Sequence, residues 1–213
     1  MTPVIKDLYY YPIKSMGGIS IQSAHVKYSG FEFDRNWMLI DEENKFLSQR
    51  ELPELCFFNL EENSSSFIVK HRTSNVSISL PKDNEKLNSL NVTVWNDSMK
   101  ASEVSQLHNQ FFSDLLNQKC RLVFKHADSI RAVDKDYSNS TKDQVAFSDG
   151  FPILLNSQSS FDLLEENWGF PVEHERFRPN IVIEYCAPHE EDLFKEFKIG
   201  GVILSAVKPC ARC

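Results

Sequence analysis

Glycine is scarce in this chain, which has 7 glycines against 16 phenylalanines among its 213 residues. Gly-rich phosphate loops of the G-x-G-x-x-G or Walker type are absent. Those loops need glycine because their backbone approaches the phosphates closely. The sequence therefore gives no support to a dinucleotide-binding or P-loop fold.

Positive charge is also in short supply. The chain carries 23 Lys and Arg against 30 Asp and Glu, a formal net charge of −7. Such a chain repels phosphate backbones at long range, so no nucleic-acid polymer is expected as a partner. Any anionic ligand would depend on a local basic pocket.

Long apolar runs and a targeting segment are missing. No run approaches the ~18 residues of a membrane span, and residues 1–7 lack the basic and apolar regions of a signal peptide. We therefore expect no membrane span and a cytoplasmic protein. The cysteines are odd in number and are expected to persist there as thiols. They are Cys56, Cys120, Cys186, Cys210 and Cys213.

The first half of the chain reads as short antiparallel strands. Its apolar residues alternate with polar ones in several short segments separated by polar turn clusters, as in a meander or small barrel. No parallel βαβ rhythm is evident. The predicted strands include Ile19–Ile21, Trp37–Ile40, Phe67–Val69, Val76–Leu80 and Leu90–Val94.

Helices and strands mix in the rest of the chain, which predicts an α+β fold. We expect helices from about Ser102 to Asn117 and from Ser159 to Asn167, each with a serine able to cap it. Strands are predicted at Arg121–Lys125, Asn180–Ile183 and Val202–Leu204.

A length of 213 residues suits one large domain or two small ones. The stretch Ala127–Gln144 is polar, mixed in charge and has little to bury, so we place a domain boundary there. The predicted units are residues 1–126 and 127–213.

The chain ends in a C-x-x-C pair, Cys210 and Cys213. Disulfide exchange of the thioredoxin type is disfavoured because no helix follows to lower a thiol pKa. Structural zinc would need other cysteines to converge on the pair. A thiolate could instead be one soft ligand of a redox metal, with Lys208 and Arg212 favouring the ionised sulfur. Both cysteines could equally be inert small hydrophobes.

Several polar residues beside apolar segments are candidates for a pocket. Lys14, Ser15, Arg35 and Arg178 could together hold an anionic cofactor, since Arg offers a planar fork and Lys a point charge. They could equally be solvated charges at strand ends. Asp149 could accept a proton or orient water, or simply form an Asp-Gly turn.

Five segments, in this order along the chain, resemble the signature of MOSC-domain proteins. They are Tyr11-Pro12-Ile13-Lys14-Ser15, Gly30-Phe31-Glu32-Phe33-Asp34-Arg35-Asn36-Trp37, Ser148-Asp149-Gly150-Phe151-Pro152, Phe177-Arg178-Pro179-Asn180-Ile181-Val182 and Pro209-Cys210-Ala211-Arg212-Cys213. More narrowly, the chain resembles the bacterial relatives of the mitochondrial amidoxime-reducing component. The resemblance implies a mainly β, α+β fold with an N-terminal β-barrel domain, 1–126, followed by a MOSC β-barrel, 127–213.

The resemblance also implies a pyranopterin molybdenum cofactor. Its phosphate and pterin would be held by residues matching the family's motifs, namely Lys14, Ser15, Arg35, Arg178 and Asn180. Cys213 would supply the metal thiolate and Asp149 an acid beside the metal, while Cys210 would be a structural thiol. The implied activity is reduction of N-hydroxylated compounds, such as amidoximes or hydroxylaminopurines, with electrons from an iron–sulfur or flavin partner.

The chain departs from the family at its end. Relatives continue past the position of Cys213 through strands that complete the MOSC barrel, so we expect an incomplete barrel here. An open barrel edge exposes unpaired backbone groups and invites self-association. A free carboxylate at Cys213 would oppose thiolate formation and weaken metal affinity.

Two other functions remain open from the sequence. One is a sulfur carrier that holds a persulfide on its cysteine. The other is a non-catalytic scaffold that lacks the cofactor.

Overall fold

The computed structural model describes residues 2–84, 88–138 and 140–210. Within them the chain is mainly β-structure with two α-helices, which confirms the predicted α+β class. The first eleven strands are β1 (Val4–Tyr10), β2 (Ile19–Ile21), β3 (Val26–Lys27), β4 (Gly30–Phe31), β5 (Trp37–Ile40), β6 (Phe58–Glu62), β7 (Ser66–His71), β8 (Ser77–Pro81), β9 (Ser89–Val94), β10 (Asp97–Glu103) and β11 (Arg121–Lys125). The remaining strands are β12 (Arg131–Ala132), β13 (Gln144–Val145), β14 (Leu155–Ser157), β15 (Ile181–Glu184), β16 (Glu196–Ile199) and β17 (Val202–Ser205), and the helices are α1 (Gln106–Leu116) and α2 (Gln158–Trp168).

One four-stranded sheet joins strands from the first and the second half of the chain, in the order β14-β15-β1-β2. β1 pairs antiparallel with both β15 and β2, while β14 and β15 are parallel and are connected through α2. The expectation of no parallel βαβ unit is therefore wrong for the second half. The apolar pattern of a parallel βαβ unit is not visible in the sequence, because β14 is short and has only one apolar residue, Leu155.

The other large sheet has the order β5-β11-β10-β9, and β6, β7 and β8 form a three-stranded sheet. Alternate residues of β5 enter different cores, which is why all four are buried. Trp37 and Leu39 pack in the larger cluster, whereas Met38 and Ile40 pack in a second one that also holds Phe147. This second core anchors the segment just before Asp149.

Serine side chains begin both helices, as predicted, but α1 starts later than expected. Its cap is Ser105, whose hydroxyl accepts a hydrogen bond from the backbone N–H of His108. The predicted start at Ser102 is wrong, because Ser102 lies in β10, where pairing with Phe124 of β11 holds its backbone extended. Ser102 is fully buried there. Neither helix of the described residues is long and apolar enough to cross a membrane.

The stretch Ala127–Gln144 is not as empty of buried groups as its composition indicates. Arg131 is 7% exposed and Val133 6% exposed, and β12 pairs with β13 across the stretch. The expectation of little to bury there is therefore wrong. The division into residues 1–126 and 127–213 stays a prediction.

Candidate functional site

The sheet register brings the first motif next to the fourth. Leu8 of β1 pairs with Ile181 of β15 in antiparallel orientation. Residues that leave the end of β1 therefore lie beside those that precede β15. This places Tyr11–Ser15 against Arg178–Asn180, although more than 160 positions separate them in the chain, as for the Tyr11 hydroxyl and Pro179 carbonyl.

Backbone hydrogen bonds add two further segments. The N–H of Lys14 donates to the Trp37 carbonyl over 2.8 Å, and the N–H of Arg35 donates to the Tyr11 carbonyl over 2.7 Å. The N–H of Phe147 donates to the Arg35 carbonyl over 2.9 Å. Segments carrying four of the five motifs thus meet in one place.

Asp34 organises one half of this site. Its carboxylate is fully buried and accepts hydrogen bonds from the Tyr11 N–H (2.8 Å), from Arg35 Nη1 (2.6 Å to Oδ2) and from Asn180 Nδ2 (3.1 Å). The side-chain Oδ1 of Asn180 accepts a hydrogen bond from Arg35 Nη1 at 3.0 Å, and Arg35 Nη2 donates to the backbone carbonyl of Arg178 at 3.1 Å. Asn180 and Arg35 are therefore locked together through one buried carboxylate.

Two guanidinium groups lie against one aromatic ring. The central carbons of Arg35 and Arg178 are each 4.4 Å from the centroid of the Tyr11 ring. Such cation–π contacts stabilise charge in a desolvated setting. Burial raises the pKa of the Tyr11 phenol, which stays neutral and donates to the Pro179 carbonyl at 3.1 Å.

Lys14 and Asp149 form the other half. Lys14 is 6% exposed, and its Nζ donates to Asp149 Oδ1 at 2.6 Å and to the Phe147 carbonyl at 2.8 Å. Burial lowers the pKa of Lys14 to about 8, although the Asp149 charge opposes this shift. Desolvation raises the pKa of Asp149, but the Lys14 charge and hydrogen bonds from Lys14 and Trp95 outweigh it and hold that pKa below its ordinary value.

Trp95 and Arg131 complete this half, and sequence reasoning missed both. The indole N–H of Trp95 donates to Asp149 Oδ1 at 3.1 Å. The buried Arg131 guanidinium donates to the carbonyls of Ser148 (2.5 Å) and Asp149 (2.7 Å) and to the Asp97 carboxylate (2.6 Å). Arg131 therefore ties the Asp149 segment to the start of β10.

Four residues of the site have a strained backbone. Ser15, Arg35, Arg178 and Trp95 have φ values of 68°, 49°, 58° and 56°, in the left-handed region that favours glycine. Each such residue costs about 1–3 kcal/mol and persists only where its surroundings enforce it. Three of the four were predicted to bind the cofactor from their motifs alone.

The predicted site residues are thus not scattered. Lys14 contacts Asp149, and Arg35 contacts Arg178 and Asn180, while the Ser15 carbonyl accepts a hydrogen bond from Gln49 Nε2 at 2.7 Å.

Cys213 lies outside the described residues. Within the described ranges, no cluster of three or more His, Cys, Asp or Glu is placed to hold a metal ion. Cys56, Cys120, Cys186 and Cys210 are free thiols. The zinc interpretation therefore gains no support from the cysteines that the structure describes.

Family comparison agrees with the resemblance of the motifs. The chain matches the MOSC N-terminal beta barrel domain over residues 2–119 and the MOSC domain over residues 142–213. It therefore belongs to the family of proteins that carry these two domains in tandem, which confirms the family predicted from the sequence.

Curated relatives of two kinds match almost the whole chain. Mitochondrial amidoxime-reducing component 1 is 30% identical in Mus musculus and 28% identical in Homo sapiens, covering 98% of this chain in each case. Molybdenum cofactor sulfurase of Oryza sativa subsp. japonica is 26% identical, also over 98% of this chain, but over only 27% of its own length. The chain spans 64% of the length of the two amidoxime-reducing relatives.

Proposed function

We propose that this chain is the cofactor-binding part of a molybdenum-dependent oxidoreductase that reduces N-hydroxylated compounds such as amidoximes or hydroxylaminopurines. Electrons would come from an iron–sulfur or flavin partner. The protein would act in the cytoplasm. The convergence of Lys14, Arg35, Arg178, Asn180 and Asp149 supports this proposal most strongly. These residues come from opposite ends of the chain, and a set of solvated strand-end charges would have no reason to meet.

The donor set fits a phosphorylated planar cofactor. Arg178 carries a guanidinium fork that matches phosphate oxygens in pairs, and Lys14 adds a point charge. Arg35 adds positive charge beside them, although Asp34 and Asn180 accept its hydrogen bonds. The cations are desolvated, so they act more strongly on an anion than solvated side chains do. In this proposal Lys14, Ser15, Arg35, Arg178 and Asn180 hold the cofactor.

Cys213 is proposed as the ligand to molybdenum. The bound metal would supply the two-electron chemistry that cleaving an N–O bond requires. Reduction of an N-hydroxyl group also consumes two protons, and it releases an amine or imine product and water. The site must therefore deliver protons.

Lys14 is the group in this site suited to hold such a proton. With a lowered pKa, Asp149 is ionised at neutral pH and is not itself the acid. Lys14, whose pKa is about 8, still carries its proton there and can release it readily. Asp149 then orients the Lys14 ammonium and stabilises its charge. This assigns proton delivery to the pair, whereas the sequence indicated Asp149 alone.

Turnover of an amidoxime with a chemical or protein reductant tests the proposal. We expect reduction by the cofactor-loaded protein, loss of activity in Cys213→Ala, and a decline in rate above about pH 8 as Lys14 loses its proton. Lys14→Arg keeps the positive charge but cannot release its proton, so we expect a large loss of rate at every pH. Loaded protein without N-reductase activity would refute the proposed reaction.

A sulfur carrier is the second candidate, favoured by the match to molybdenum cofactor sulfurase over 98% of this chain. In that case Cys213 would hold a persulfide, and the cationic site would bind an anionic acceptor. Intact mass before and after reduction separates the candidates. One added sulfur that reductant removes, and that is missing in Cys213→Ala, favours the carrier.

A further inference from the structure

A cleft of about 260 Å³ opens beside the Lys14–Asp149 pair. Its lining includes Lys45, Phe46, Arg50, Glu51 and Trp95. The proposed cofactor residues are not among its lining residues. The cleft is nevertheless adjacent to them, because the indole N–H of Trp95 is 3.1 Å from Asp149 Oδ1.

Trp95 occupies a position where a bulky residue is unexpected. It begins the two-residue turn between β9 and β10, where Val94 pairs with Asp97, and its φ is 56°. Glycine, asparagine or aspartate usually fills such turns because a positive φ strains other residues. The Trp95 side chain at this strained turn is still 39% exposed, so burial in the core does not account for a large ring at this position.

The surroundings of Trp95 form an aromatic and cationic wall. The ring centroids of Phe46 and Trp95 are 4.9 Å apart, and the Arg50 guanidinium carbon is 4.9 Å from the Trp95 ring centroid. Guanidinium and indole planes both stack on flat heteroaromatic rings. The wall therefore offers a surface suited to a planar ligand.

The charge of the cleft favours an anion. Lys45 and Glu51 are paired at 3.7 Å, but both side chains are more than half exposed, so the pair is weak. Among the described residues no carboxylate lies within ion-pair distance of Arg50. Arg50 can thus hold a phosphate or carboxylate without first breaking an ion pair.

We propose that this cleft is the substrate-recognition surface of the site and takes a planar heteroaromatic ring that bears an anionic group, with the ring on Trp95 and the anion on Arg50. This rests on the proposed function and adds to it a preference, among N-hydroxylated substrates, for a planar ring that bears an anionic group. Through its hydrogen bond to Asp149, Trp95 also couples the bound ring to the proposed proton donor.

Direct binding of adenosine 5′-monophosphate, measured by calorimetry on the full chain, tests the proposal without turnover. We expect Trp95→Ala to weaken binding about tenfold or more through lost stacking, and Trp95→Phe to weaken it less because a ring remains. Arg50→Gln should weaken binding of the monophosphate about tenfold but leave adenosine unchanged. Arg176→Gln, an exposed arginine that does not line the cleft, is the matched control and should change neither.

Equal affinities for the monophosphate in wild type, Arg50→Gln and Trp95→Phe, or no binding in the wild type, would overturn the proposal. Molybdenum content is measured on the same preparations. A parallel loss of molybdenum in Arg50→Gln would assign the cleft to the cofactor and also overturn it. Normal monophosphate binding by a chain that never carries molybdenum would instead refute the proposed function alone.

Discussion

Lys14 and Asp149 are separated by 135 positions in the chain, yet Lys14 Nζ lies 2.6 Å from Asp149 Oδ1. The pair is asymmetric, since the Lys14 side chain is 7% exposed and that of Asp149 is 68% exposed. Water screens the carboxylate, so the attraction itself contributes little to stability. The ion pair matters because the Lys14 ammonium is buried. If Asp149 is neutralised, this ammonium loses its only carboxylate contact among the described residues.

Asp149→Asn should therefore affect function more than folding. The change removes the charge that raises the pKa of Lys14, so that pKa should fall below about 8. We expect turnover to fall about 100-fold at neutral pH, the size of a general acid–base contribution, with the free energy of unfolding lowered by about 1 kcal/mol. Steady-state kinetics and urea unfolding measure the two effects.

Glu42→Gln is the control for this prediction, because Glu42 pairs with Lys119 on the exposed surface. It should change neither quantity. Unchanged turnover in Asp149→Asn would remove Asp149 from the proposed mechanism.

The buried charge of Lys14 also predicts a pH dependence of stability. The pKa of Lys14 is about 8 in the folded protein against 10.5 ordinarily, so between these values the unfolded chain binds more protons. Stability from this group therefore rises with pH across the interval, by up to about 1.4 kcal/mol per pH unit. Lys14→Met removes the titrating group.

Denaturant unfolding of wild type and Lys14→Met from pH 7 to pH 11 isolates this contribution, because other groups titrate in both proteins. The difference between the two curves should move in favour of the wild type as pH rises. A constant difference would mean that Lys14 titrates as a solvated lysine does.

Asp34 is expected to be the most sensitive residue of the site for folding. Asp34→Ala leaves the Tyr11 N–H without its acceptor and the largely buried Arg35 guanidinium without its carboxylate. Breaking a buried pair from one side typically lowers the free energy of unfolding by about 3–5 kcal/mol. Glu61→Gln, at the exposed pair with Lys70, should lower it by less than about 1 kcal/mol. Chemical denaturation of both variants checks the contrast, and similar losses would contradict it.

Sequence reasoning predicted local elements well and the site only through its motifs. Strand β11 was predicted with its exact bounds, and β5 likewise, because short apolar runs between polar turns determine a strand locally. Pairing between distant segments has no such local signal. Lys14 meets Asp149 through long-range backbone contacts, in which the Lys14 N–H donates to the Trp37 carbonyl and the Phe147 N–H to the Arg35 carbonyl, and spacing along the chain does not encode them.

Arg131 and Trp95 were missed for different reasons. Arg131 lies in a polar stretch, and in the fold its guanidinium is buried against the backbone carbonyls of Ala146, Ser148 and Asp149, which accept its hydrogen bonds. Trp95 directly follows the predicted strand Leu90–Val94 and was assigned no role. A tryptophan next to Asn96 and Asp97, where a tight turn is expected, was the available signal.

Ser15 offers a test that separates backbone strain from binding. Its φ of 68° is free of strain for glycine, so Ser15→Gly should raise the free energy of unfolding by up to about 1 kcal/mol. The same change deletes a hydroxyl that we propose contacts the cofactor, so cofactor content should fall. Thermal unfolding and pterin fluorescence measure the two, and Asn75→Gly, at φ 56° away from the site, should leave cofactor content unchanged. Unchanged cofactor content in Ser15→Gly would exclude its hydroxyl from binding.

The proposed ligation by Cys213 is the centre of the account, and metal content tests it most directly. Wild type and Cys213→Ala are purified from cells that synthesise the molybdenum cofactor, and molybdenum and pterin are measured per chain, with circular dichroism to show that both are folded. We predict measurable molybdenum in the wild type and its loss in Cys213→Ala. Molybdenum retained equally by both proteins, or bound by neither, would contradict the account.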